Sequence, residues 1–320
     1  MASTAKIMTA LVVLEDHPLA LNEPGPVLTV SRADVATYVS ERNANESVLP
    51  VVYGEQLTEY QLLQGMLLPS ASNFAAMLAT WDQGSLPAFV TRMNARAASL
   101  GMAATHYDDV SGFSAASVST PTDLIKVAET AMRLPAFAQI VAQTQASLPV
   151  AGTIHNLNAL LGQNGVIGIK TGHTDQAGGC LVFAADSIVD GQPARIVGAV
   201  MGQPNADAGA FAATVPLITA VRGALHVQPV VRRHDVVAHY STAWGVSGPI
   251  VAAQGVSWML MDGASVSRHA TINPIPPDLP AGSRVGTLTL ESGNQRIDVP
   301  LIVEAAINGP DVSWRLTRGF

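Results

Sequence analysis

A single cysteine, Cys180, stands in a chain of 320 residues, which excludes an internal disulfide framework and every metal site built from several thiolates. Lysine is nearly as scarce, with Lys6, Lys126 and Lys170 the three in the chain. Charged residues make up 13% and the net charge is −7, so the chain lacks the basic footprint that nucleic acid requires. It also lacks a Lys/Arg-rich amphipathic stretch for a membrane surface and an apolar run of spanning length. No signal-peptide pattern opens it, since Met1-Ala2 leads directly into Ser3. Internal repeats and low-complexity tracts are missing too. The eight histidines show no His-Glu-x-x-His or comparable ligand spacing.

What is present is apolar: 48% hydrophobic residues, enough for a large core and a second, smaller one. Ser3 to Glu15 reads as a buried helix, with Ile7, Met8, Leu11, Val12 and Leu14 on a broad face. Thr58-Glu59-Tyr60-Gln61 is a capping-box pattern ahead of another helix, and further helices follow Ser72 and Pro87. Thr120-Pro121-Thr122-Asp123 supplies a hydroxyl cap, a first-position proline and an acid. The period then changes: Val166 to Thr171, Cys180 to Ala185 and Arg195 to Met201 read as strands. Residues 206–225 return to helix, and from about Val227 the chain is strand-like with frequent Gly and Pro. These readings give an α+β domain over 1–226 and a β-rich domain over 227–320.

Two of the three lysines lie in patterns that carry chemistry. Ser3-Thr4-Ala5-Lys6 sets a hydroxyl and an amine one helical turn apart on one face. A serine hydroxyl is a poor nucleophile until a base takes its proton, and a neutral amine can do so. Lys170-Thr171-Gly172 lies on a predicted strand, where glycine lets a substrate backbone approach. A charged Lys170 close to Lys6 would lower the Lys6 pKa and favour the neutral base. Between the two comes Ser70-Ala71-Ser72-Asn73, on a turn between helices. Each pattern alone is commonplace; their order and their use of the scarce lysines give them weight.

Together these motifs resemble the Ser-x-x-Lys, Ser-x-Asn and Lys-Thr-Gly set of penicillin-recognising serine enzymes. The flanks, Ala2 to Ala10 and Gly168 to Thr174 with Ala177-Gly178, narrow the resemblance to the serine-type D-alanyl-D-alanine carboxypeptidases, the low-molecular-weight penicillin-binding proteins of peptidase family S11. His155-Asn156-Leu157-Asn158-Ala159-Leu160-Leu161-Gly162 is similar as well, and residues 280–286 resemble the family's carboxy-terminal sandwich. The resemblance implies a transpeptidase/β-lactamase-like domain, an antiparallel sheet flanked by helices, followed by a β-sandwich. It implies that Ser3 is the acylated nucleophile, Lys6 its base and Ser70 a proton relay to the leaving D-alanine. Ser72, Lys170, Thr171, Gly172 and His173 would hold the substrate, with the Ser3 and His173 N–H groups forming the oxyanion hole. The implied substrate is a peptidoglycan stem peptide ending in D-Ala-D-Ala, with β-lactams as covalent inhibitors, no metal or organic cofactor, and work outside the cytoplasmic membrane.

Two departures qualify the match. The middle motif ends in Ser72 where the family has Asn; either Ser72 substitutes or the turn presents Asn73, and the apolar register after the motif favours Ser72. In the family, strands and a signal peptide precede the nucleophile helix, so the sheet is expected to lack its opening strands, through a misassigned start or a truncated gene, and the helix to fray at its start. No amphipathic helix is expected before Arg318-Gly319-Phe320, hence no C-terminal anchor. The rival readings are a serine β-lactamase, for which Glu129 is the one glutamate between the second and third motifs, and an inactive wall-binding relative. Cys180 reads as a small buried residue and Tyr107-Asp108-Asp109 as a solvated turn rather than a calcium site. Trp244 and Trp258 are expected to pack the sandwich.

Overall fold

Ser3 stands in a 3-10 turn, Ala2–Ala5, that runs straight into helix α1, Lys6–Asp16, in the computed structural model, which describes residues 1–318. Every α1 residue from Lys6 to Leu14 is buried, the signature of a helix enclosed on all sides. Met1 and Ala2 are buried, and Thr4 Oγ1 donates to the Met1 carbonyl at 2.7 Å.

The chain divides into two units, Met1–Ile188 with Pro193–Arg222, and Val189–Gln192 with the residues from Gly223 onward. In the first, a short strand β1 (Val27–Thr29) precedes α2 (Arg32–Asn43) and pairs antiparallel with β2 (Gln56–Thr58). Helices α3 (Glu59–Leu67), α4 (Ser72–Gln83), α5 (Leu86–Ser99), α6 (Pro121–Ala131) and α7 (Pro135–Val141) follow and pack around α1. Their starts are local chemistry: full capping boxes at Ser31 and Thr58, and hydroxyl caps at Ser85 and Thr120. A hairpin of β3 (Gln145–Leu148) and β4 (Gly152–His155) leads to β5 (Val166–Thr174), β6 (Gly178–Val189) and β7 (Gln192–Gln203), a sheet in that order. In the β5–β6 ladder Lys170 lies opposite Val182 and Gly172 opposite Cys180, which is buried. Helix α8 (Ala206–Ala224) ends this unit's helical part.

The second unit is a β domain with its own core. Strands β8 (Leu225–Val231), β9 (Val236–Ser241), β10 (Ser247–Ala252), β11 (Val256–Met261), β12 (Ser267–Ile272), β13 (Arg284–Ser292) and β14 (Gln295–Val303) form a five-stranded sheet, β12-β13-β14-β10-β9, and a β11-β8 ribbon. Side chains from both, including Val231, Leu260, Leu290 and Leu301, make one cluster, with Trp244 and Trp258 packed against it. A short helix α9 (Val312–Arg318) follows, with Val312 and Leu316 exposed. Gly319 and Phe320 lie outside the described residues.

Candidate active site

Helix geometry puts Lys6 Nζ 2.9 Å from Ser3 Oγ. The amine also reaches the Ser111 carbonyl at 3.0 Å and Ser72 Oγ at 3.4 Å, so three separate elements grip it. Ser72 opens α4. The next residue, Asn73, is turned away: its carboxamide accepts from the Leu49 N–H and donates to the Leu49 carbonyl. Of the two candidates for the last place of the middle motif, Ser72 faces the lysine and Asn73 clips a loop. Ser70 sits before α4 with a positive φ of 71°, and its buried Oγ has no hydrogen-bond partner.

Strand β5 passes directly against the turn that carries Ser3. A Cβ placed on Gly172 would lie 2.8 Å from Ser3 N and 3.0 Å from Thr4 N, so only glycine permits this approach. Lys170 is buried on the same strand, its Nζ donating to the Thr171 carbonyl at 3.0 Å. Ser3, Ser72 and His173 line one cleft of about 400 Å³, with Glu46, Phe113 and Asp175 on its walls. Lys6, Ser72, Gly172 and His173 thus gather around Ser3 from α1, α4 and β5.

Burial is the largest influence on both lysines. It lowers Lys6 to about 8, against an upward pull from Asp109, Glu46 and Glu41. It lowers Lys170 to about 7, with the neighbouring Lys6 charge as the second cause. Desolvation is thus the leading cause of both shifts, and the repulsion between the two amines, which acts on the pair, comes second to it at Lys170.

Sequence reasoning missed the loop between α5 and α6. Asp109 is no solvated turn residue. Its carboxylate accepts from the N–H groups of Gly112 and Phe113 and from the hydroxyls of Ser111 and Ser117, and this shapes the loop that offers the Ser111 carbonyl to Lys6. Gly112 has φ 80°, and a Cβ there would meet the Ala2 carbonyl oxygen at 1.9 Å. Tyr107 beside it is fully buried. The one signal for this loop in the sequence was an Asp-x-Ser-Gly run ahead of the Thr120 cap. Among the described residues no group of three or more His, Cys, Asp or Glu side chains is gathered as a metal site.

The sequence model described as D-alanyl-D-alanine carboxypeptidase matches residues 1–205. The D-alanyl-D-alanine carboxypeptidase of Streptomyces sp. (strain K15) is 37% identical over 200 residues, 57% of this chain and 67% of that protein. The Mycobacterium tuberculosis D-alanyl-D-alanine carboxypeptidase DacB2 is 39% identical over 191 residues, 58% of this chain and 61% of that protein. The chain thus spans about two thirds of the length of these curated relatives. The crystal structure of the Streptomyces K15 DD-transpeptidase superposes with a TM-score of 0.60 at 32% identity, covering 70% of this chain and 87% of that one. Penicillin binding protein 5 from Haemophilus influenzae, at 20% identity, shares the fold over 96% of this chain and 90% of its own with a TM-score of 0.67. With the site's geometry and these likenesses together, the chain belongs to the D-alanyl-D-alanine carboxypeptidase family.

Proposed function

We propose that the chain is a serine hydrolase that removes the terminal D-alanine from peptidoglycan stem peptides ending in D-Ala-D-Ala, through an acyl-enzyme on Ser3. The observation that carries this is the 2.9 Å contact between a buried, pKa-lowered Lys6 amine and Ser3 Oγ. The neutral amine takes the Ser3 proton as Oγ attacks the penultimate carbonyl carbon. The Ser3 and His173 N–H groups receive the oxyanion. The peptide C–N bond then breaks, and the departing D-alanine nitrogen gains a proton through Ser70, whose hydroxyl is otherwise unengaged. Lys170 and Thr171 hold the substrate carboxylate, Ser72 and Gly172 complete the binding wall, and water hydrolyses the ester. β-Lactams offer a strained amide carbonyl in place of the scissile one, and ring opening leaves them acylated on Ser3. Such peptides lie outside the cytoplasmic membrane, so we place the activity there; among the described residues no helix is long and apolar enough to cross a membrane.

The β-lactamase reading is weaker, because Glu129 sits exposed on α6. Fluorescent penicillin should label the chain in a Ser3-dependent band, and D-alanine should be released from a diacetylated tripeptide ending in D-Ala-D-Ala. Turnover of a chromogenic cephalosporin without D-alanine release would favour the β-lactamase instead. A chain that takes no label would point to an inactive relative.

A further inference from the structure

The cleft over Ser3 carries two carboxylates on its walls, Glu46 and Asp175, and no Lys or Arg; its basic groups, Lys6 and Lys170, are buried. Glu46 is fixed close to the reacting groups. The Ser72 N–H donates to the Ser47 carbonyl at 2.7 Å, which ties that segment to the start of α4, and Glu46 Oε2 stands 3.3 Å from Ser111 Oγ. A hydroxyl has one proton, and the nearer acceptor of this one is Asp109 Oδ2 at 2.7 Å. Lys6 spends its three donors on Ser3, Ser72 and the Ser111 carbonyl. Among the described residues neither Glu46 nor Asp175 makes an ion pair. Phe113, 45% exposed, adds an apolar ring to the same cleft, and its N–H is held by Asp109 Oδ2 at 2.8 Å.

We infer that Glu46 and Asp175 are specificity-determining residues that select peptides with a free ammonium on the side chain two places before the terminal D-alanine, with Phe113 covering the aliphatic stem. This rests on the roles proposed above for Ser3, Lys170, Thr171 and His173. A peptide with its carboxylate at Lys170 and Thr171 and its scissile carbonyl at the His173 N–H carries its earlier residues onward along β5. That direction leads past Thr174, where the strand ends, to Asp175, about 7 Å beyond His173 at the usual rise of a strand. The substrate's negative end thus meets buried lysines and its earlier part meets the acidic walls, so a peptide charged oppositely at its two ends is favoured and oriented. Acylation of the side-chain amine removes the charge that the two carboxylates would receive, and such peptides are turned over more slowly.

The test is kcat/KM for D-alanine release by the full chain from three N-acetylated tripeptides ending in D-Ala-D-Ala, whose first residue is lysine, Nε-acetyl-lysine or norleucine. Measured at about pH 8, where a lysine amine is charged, the lysine peptide should be preferred about fivefold over each of the other two. Norleucine keeps the length of the stem and loses the charge, so a preference over acetyl-lysine alone would be steric exclusion and overturns the inference. Glu46→Gln should cut the lysine-to-norleucine ratio to about twofold, and Glu46→Gln with Asp175→Asn should bring it close to one, whereas Glu46→Asp keeps most of it. Because each ratio is taken within one variant, a loss of folded protein or a disturbed loop leaves it unmoved. Should the Glu46 variants fail to fold, Asp175→Lys, on an exposed turn, should abolish the preference by itself. Equal rates on the three peptides with the parent chain, or a parent-like ratio in the double variant and in Asp175→Lys, overturn the inference and leave the carboxypeptidase reading standing. A parent chain that releases D-alanine from none of them brings down that reading, and this inference with it.

Discussion

At the scale of single residues, the site depends on positions where nothing larger fits. Gly172 brings β5 so close to the Ser3 N–H that a methyl group would sit 2.8 Å from that nitrogen. Backbone and not a flexible side chain would have to yield. Gly172→Ala is therefore expected to push the strand off the nucleophile turn and spoil the oxyanion donors. Loss of one such donor lowers catalysis by about 10²–10³-fold. Acylation by fluorescent penicillin should fall on that order while circular dichroism keeps its native form; labelling at the parent rate would refute the close approach. Asn73 carries the complementary lesson. A residue of the right type one place from the expected one is spent on the Leu49 backbone, and the shorter Ser72 faces the amine.

At the scale of elements, local chemistry sets the starts of α3 and α6, whereas α1 and α4, which carry Lys6 and Ser72, begin without a side-chain cap. Thr58 caps α3 through Gln61 N–H to Thr58 Oγ1 at 3.1 Å, and Thr58 N–H donates in return to Gln61 Oε1 at 3.0 Å. Thr58→Ala should cost about 1 kcal/mol of stability, the usual worth of such a cap, as read by chemical denaturation. A loss well under half of that would mean α3 is held by packing alone, chiefly its seat on α4, where a Cβ at Gly65 would collide with the Phe74 ring. Capping was legible at Thr58 and Thr120 because the partners lie within one turn. The Asp109 loop was not, because its meaning depends on Lys6 lying 105 residues away from Ser111. Helix α2 was also missed: it buries no residue fully, its short stripe of Val35, Tyr38 and Val39 is at most partly covered, and its Ser31–Asp34 capping box is the clearer signal.

At the scale of the molecule, buried titratable groups shape the response to pH. Glu59 is fully buried with both carboxyl oxygens unpartnered, and burial raises it from 4.5 to about 7; Glu41 is raised likewise. Between those values the native state holds protons that the unfolded chain has released, so these acids make stability fall as pH rises from 4.5 to 7. Lys6 and Lys170 act in the opposite window. Their native values near 8 and 7 lie below the 10.5 of an unfolded lysine, so stability is regained as pH climbs from there toward 10.5. Denaturation across this range should show a minimum near pH 7 to 8, and Glu59→Gln should flatten the acid-side slope. A maximum there, or an unchanged slope in the variant, would contradict the assignment.

What the amino-acid order determined by itself lies within a few residues of itself: Ser3 one turn from Lys6, the caps that start α3 and α6, the strand carrying Lys170, and the change from helix to β structure. Fixed helical and extended repeats translate such spacing into geometry without help. Tertiary structure alone decided which distant groups surround the Lys6 amine, that desolvation lowers it, that Asp109 builds a loop, and that Glu46 lines the cleft with Ser3 and Ser72. Those outcomes arise where segments far apart in the chain exclude water between them. Burial and charge proximity are properties of that packing, and no spacing along the chain encodes them.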